Sequence, residues 1–184
     1  STLARKHFIR PSSSTQADAI YRFHNHLVRE TVYNGLLKRA RANLHIGFVR
    51  WADKVNADRD RALEFEEILG YHLEQAHRYL RELGPLDEAG VAIGTDAARR
   101  LASAAKRAFA RGDMHAAASL FRRTIALLSA DDPQRAELLP ELGETLMGLG
   151  DFAGARAALE EARIAAERSS NQRIKASSQL IGMF

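Results

Sequence analysis

The sequence predicts an all-α protein, a right-handed solenoid of stacked helices entered through a short β-hairpin. Three features carry that expectation. After residue 25, apolar residues recur at three- and four-residue spacing over most of the chain, the period of a helix with one buried stripe. From residue 98 the sequence repeats itself at an interval of 38 residues, and a fixed interval of that size marks an array of helical units. The charge also changes sign in blocks. Residues 1–50 carry nine Lys/Arg against two Asp/Glu, 51–96 five against eleven, 97–123 seven against one, and 124–184 six against nine. Blocks that follow predicted structural units are what adjacent, mutually neutralising layers would produce.

Composition narrows the function classes. The 184 residues are 46% hydrophobic and 27% charged, a globular balance, with a net charge of +4. There are no cysteines, which excludes disulfide frameworks, thiolate zinc sites and cysteine nucleophiles. No apolar run approaches the roughly 18 residues that span a bilayer, and no signal-peptide pattern opens the chain. The expectation is a cytoplasmic segment that does not engage a membrane. Of 27 basic residues 22 are Arg, and 32 residues are Ala, a bias associated with GC-rich bacterial genomes. The start at Ser1 and the apolar close Ile181-Gly182-Met183-Phe184 read as a piece of something longer.

Along the chain, His7-Phe8-Ile9-Arg10-Pro11 is short and extended, Ser12 to Thr15 is a polar loop, and Ala19 to His24 alternates apolar and polar. Together they predict a hairpin with a long loop. Asn25 can cap a helix whose face is Leu27, Val28, Thr31, Val32, Leu36 and Leu37. A second helix runs through Ala40, Leu44, Phe48, Trp51 and Val55. A third, from about Ala62 to Leu83, has Ile68, Leu69, Leu73, Ala76 and Leu80 on one face and stops at Gly84-Pro85. Gly90 and Gly94 each cost a helix about 1 kcal/mol, so 86–97 should be frayed or broken ahead of a firmer helix from Thr95.

In the repeated part, Ala104-Ala105 aligns with Leu142-Gly143, Gly112-Asp113-Met114 with Gly150-Asp151-Phe152, Ala117 with Ala155, and Phe121 with Leu159. This pattern resembles the tetratricopeptide (TPR) repeat, a helix–turn–helix unit. Small residues at the crossing points let paired helices approach, and the Gly-Asp turn reverses the chain within a few residues. The extra residues of each interval fall at Ser129 to Pro133, between units. Pro140 should bend the first helix of the second unit or delay its start.

Catalytic chemistry finds little footing. His24 and His26 sit at a strand–helix junction, and His72 and His77 are about 140° apart on a helix, so neither pair converges on a metal. His24 and His72 read as half-buried packing residues with one satisfied nitrogen. Glu64, Glu66, Glu67, Glu160 and Glu161 fall on predicted polar faces. No phosphate-binding loop, dinucleotide turn or nucleophile elbow is present. No cofactor, metal or catalytic residue is expected. The basic run Lys38, Arg39 and Arg41 near the hairpin raises a nucleic-acid alternative for residues 1–50. The alternation of charge argues for stacking instead. The remaining class is protein interaction. The first helix of each unit lines a groove, here Arg99 and Lys106 in unit one and Glu137, Glu141 and Glu144 in unit two. Ile174, Leu180, Ile181 and Phe184 lie on a helix that lacks a following repeat, and should self-associate into a homodimer.

A wider resemblance spans about residues 3–169. Tyr21 to Glu30, with Val32-Tyr33, Leu36-Leu37 and Arg41 to His45, is similar to a pattern that follows the ATPase core in large bacterial STAND/AAA signalling ATPases. Leu3 to Pro11 looks like the close of their winged-helix subdomain. Ile68 to Ala76, with Tyr79, Glu82 to Pro85 and Asp87-Glu88, resembles the linker before the TPR array in actinobacterial multidomain adenylate/guanylate cyclase-like proteins. LuxR-type transcriptional regulators of the same architecture are the alternative. The resemblance implies a winged-helix remnant over 1–24, a helical linker subdomain over 25–85 and TPR-like repeats over 86–184. The units fall at about 98–131 and 136–169, with a partial third at 171–184. It also implies a regulatory segment that docks on the ATPase or binds a protein partner.

Overall fold

The computed structural model describes residues 9–15, 18–57 and 62–169. Strands β1 (Ile9–Thr15) and β2 (Asp18–Phe23) pair antiparallel, with an irregularity between Pro11 and Ser13. Strand pairing thus runs through the serine stretch expected to be loop. The irregularity next to Pro11 fits a residue that has no N–H to give the ladder. Seven helices follow among the described residues: α1 (His26–Gly35), α2 (Lys38–Ala57), α3 (Ala62–Arg81), α4 (Glu88–Ala110), α5 (Met114–Leu127), α6 (Pro133–Gly148) and α7 (Phe152–Ser169). Each of α2 to α6 packs on the helix that follows it. The protein is an all-α, TPR-like helical solenoid.

Local chemistry sets the helix ends. The Asn25 side chain accepts from the Leu27 N–H at 2.8 Å and opens α1. Gly84, at φ 142°, follows the end of α3. The two repeat turns are built alike. Gly112 and Gly150 adopt φ of 77° and 76°. The Asp113 N–H reaches the Ala108 carbonyl and the Asp151 N–H the Leu146 carbonyl, at 3.0 and 2.9 Å. Each Asp side chain then accepts from the backbone three residues on, Asp113 from Ala116 and Asp151 from Gly154. Every atom in the second turn is displaced by the same 38 residues from its counterpart in the first. The left-handed glycine closes one helix and the carboxylate caps the next.

Three expectations about the helices need correction. The stretch 86–97 is not frayed: α4 starts at Glu88, capped by Asp87, whose side chain accepts from the Gly90 N–H at 2.8 Å. The glycines there serve close approach. A Cβ on Gly94 would lie 2.7 Å from His77 Cδ2, and one on Gly70 2.9 Å from Leu101 Cγ, so both glycines sit where α3 crosses α4. Pro140 does not delay α6, which opens at Pro133 under an Asp132 cap and continues through Pro140. In α2 the large apolar residues do not form the core. Ala42, Val49 and Ala52 are buried, whereas Leu44, Phe48 and Trp51 are exposed. Nothing in α1 is buried.

The main core lies among α4 to α7, around the fully buried Leu101, Phe121, Leu138 and Leu139. Burial of side chains this size stabilises by about 2–3 kcal/mol each. A smaller cluster joins Val49 and Ala52 of α2 to Leu69 and Leu73 of α3 and Ala97 of α4. Ion pairs then connect the charge blocks. Lys38 meets Glu82, Arg123 meets Glu74, Lys106 meets Glu141 and Arg122 meets Asp151. Each of these joins neighbouring blocks of opposite sign. At the junction of the two units, Arg135 donates to the Ile125 and Leu128 carbonyls at the end of α5 and pairs with Glu161 of α7. The candidate self-association residues Ile174, Leu180, Ile181 and Phe184, and with them the partial third unit, lie outside the described residues.

Candidate interaction surface

Arg99 and Lys106 are seven residues apart on α4, and Glu137, Glu141 and Glu144 are spaced four and three on α6, so each set shares one helix face. The structure joins the two faces. Lys106 Nζ lies 3.1 Å from Glu141 Oε1, across the gap between α4 and α6. Under the 38-residue repeat, Arg99 corresponds to Glu137 and Lys106 to Glu144. The same positions therefore present basic groups on one unit and acidic groups on the next. Arg99 is exposed and pairs within its own helix with Asp96. Glu137 and Glu144 are exposed. Beside this face, Arg99, Asp96, Thr95, Val91 and Leu86 line an open depression of about 650 Å³.

Two polar clusters escaped the sequence reading. The first centres on Arg100, whose side chain is 8% exposed. It reaches Asp53 of α2 at 2.8 Å, Glu66 of α3 at 3.3 Å and Asp96 of α4 at 3.3 Å. Glu66, expected on a solvated face, is instead buried against this guanidinium, with its Oε2 unpartnered. A signal was available. Arg100 falls between Ala97, Leu101 and Ala104, on the apolar face of its helix, and a charge there needs a buried partner.

The second cluster links α1, α2 and α3. His72 Nδ1 and His45 Nδ1 are 2.7 Å apart, His45 Nε2 lies 2.7 Å from the Tyr33 hydroxyl, and that hydroxyl donates to the Tyr79 oxygen at 3.2 Å. Arg41 stands over both tyrosine rings. Burial, followed by His72 and Arg78, pushes His45 down to about 4, and burial also lowers His72. A neutral His45 accepts at one ring nitrogen and donates at the other, which is what a continuous chain requires. His72 is half-buried with one paired nitrogen as expected, whereas His24 is exposed. No sequence signal could have paired His45 with His72, because the two are 27 residues apart. No group of three or more His, Cys, Asp or Glu among the described residues could hold a metal ion. Nor is any described helix long and apolar enough to cross a membrane.

The surface is thus a charged face laid across successive helices of a TPR-like array. No protein-family model matches the chain, and no curated protein matches it. Among solved structures, the crystal structure of MamA is similar over 74% of this chain and 84% of that chain, at 17% identity and a TM-score of 0.37. The fold assignment rests on the chain's own turns, caps and crossings.

Proposed function

We propose that this chain is a non-catalytic protein-interaction and regulatory segment of a larger cytoplasmic bacterial signalling ATPase, adenylate/guanylate cyclase-like by preference. The observation that carries the reading is the joined α4–α6 face. Lys106 and Glu141 bridge two successive repeat helices, while Arg99, Glu137 and Glu144 stay exposed beside them. A peptide or neighbouring domain lying across this face would meet basic groups from one unit and acidic groups from the next. Such a pattern orients a partner more than it tightens one. The parent's output domain comes from the sequence resemblance alone, with a LuxR-type regulator as its alternative.

The test is binding between this chain and the purified ATPase portion of its parent, measured by calorimetry. Association should weaken about tenfold in R99E/K106E, and the chain alone should turn over no ATP. Turnover by the chain alone would overturn the non-catalytic reading. Binding unchanged by R99E/K106E would remove the groove. Retention of duplex DNA at low salt, lost when Lys38, Arg39 and Arg41 are reversed, would favour the nucleic-acid alternative.

A further inference from the structure

A second surface lies at the opposite end of the array from the α6–α7 unit. Leu44, Phe48 and Trp51 are 56%, 37% and 45% exposed. Their spacing of four and three residues lines them up along α2. Asp53, through which α2 reaches α4, is two residues beyond Trp51, more than half a turn round the helix. The stripe therefore faces away from the repeats.

Its borders are chemically distinct. On one side Phe48 stacks against His72 of α3 with ring centroids 4.4 Å apart. Contacts of Lys38 with Glu82, Arg41 with Tyr79 and His45 with His72 show that α2 and α3 run antiparallel. That direction brings the exposed Ile68, one turn before His72, to the level of Trp51. The apolar strip is thus two helices wide. Along the other side stand Arg39, Arg50 and Lys54, all exposed, none in an ion pair with another described residue. Asp53, the lone acid of α2, is already held by Arg100.

We infer that this strip is a docking site for an acidic amphipathic helix of a partner protein or domain. The two-helix width suits an apolar stripe at i, i+3, i+4 and i+7 laid along it, and the row of free cations suits Glu or Asp on the flank of that helix. A second copy of the same face is disfavoured, because pairing it with itself would oppose Arg39, Arg50 and Lys54 to their own counterparts. This surface is separate from the α4–α6 face and does not depend on it.

Trp51 is the single tryptophan of the chain and lies in the strip, so its emission reports occupancy directly. The probes are a helical peptide with a leucine stripe flanked by glutamates and its lysine-flanked counterpart. The glutamate peptide should shift Trp51 emission to the blue at micromolar concentration. The lysine peptide should bind about tenfold more weakly, and the difference should shrink in high salt. L44E and R50E/K54E should each weaken binding of the glutamate peptide about tenfold with helical content unchanged, while R99E/K106E leaves it unaltered. Four results would overturn the proposal. These are no shift with the glutamate peptide, equal shifts with both peptides, a shift only on vesicles containing phosphatidylserine, or a concentration-dependent shift without any probe. The last two would point to a lipid surface or to a second copy.

Discussion

Replacing Arg100 with methionine removes the guanidinium that joins α2, α3 and α4 and keeps a side chain long enough to fill much of its place. Asp53 and Asp96, 44% and 37% exposed, can recover hydration. Glu66 cannot, because its side chain is 10% exposed and one of its oxygens already lacks a partner. The loss is therefore set by Glu66. Breaking a buried pair while one charge stays in place costs about 3–5 kcal/mol. Protonation limits this, since loading a proton onto an ordinary Glu carboxyl at pH 7 costs about 3.7 kcal/mol. We expect R100M to lose about 3 kcal/mol at pH 7, measured by urea unfolding followed by circular dichroism. At pH 5 the same ceiling drops to about 1 kcal/mol, so the gap between the native chain and R100M should narrow. Adding Glu66→Met should restore most of the stability, as apolar replacement of a whole buried pair commonly does. Equal losses at both pH values, or no recovery in E66M/R100M, would refute this account of the network.

Other expectations follow from the same geometry. A histidine whose folded pKa lies below its unfolded value costs stability as pH falls below about 6.5, in full only below the folded value. With His45 at about 4, the native chain should lose roughly 1 kcal/mol between pH 7 and pH 5 through this residue, after allowance for its partial exposure. His45→Gln should flatten that slope in unfolding titrations. Gly94→Ala would place a methyl 2.7 Å from the buried His77 ring, and the overpacking should outweigh the helix gain by about 1 kcal/mol. Gly47→Ala meets nothing within 4 Å and should raise the melting temperature, with a gain of up to about 1 kcal/mol. At φ of 77° and 76°, Gly112→Ala and Gly150→Ala should each lose about 1–2 kcal/mol, with matching values for the two turns by thermal melts.

What could be read from the sequence was local. Asn25, Gly84-Pro85 and the paired Gly-Asp turns act within a few residues of themselves, so their chemistry is written next to their effect. Close approach between helices is a different kind of information. Gly90 and Gly94 carry the composition of a weak helix start, and only the presence of His77 and Leu86 against them explains why the helix runs on. Periodicity locates a stripe but not its neighbour. Leu44, Phe48 and Trp51 show a core-like spacing, yet the small Ala42 and Ala52 face inward, where α3 comes close. Lys106 and Glu141 were placed on facing helices by the repeat alone, because a repeated interval converts sequence distance into spatial adjacency. Arg100 with Glu66, and His45 with His72, had no such guide.

The Arg135 side chain has a mechanical consequence. One guanidinium grips the final carbonyls of α5 and a carboxylate of α7, across the stretch where the repeat carries its extra residues. Bending the second unit against the first has to break those bonds together. The insertion therefore works as a braced joint rather than a slack tether, and torque applied at α7 would be carried into α5 and α4. An array braced in this way behaves as a lever arm, able to convert a small push at one end into a displacement at the other.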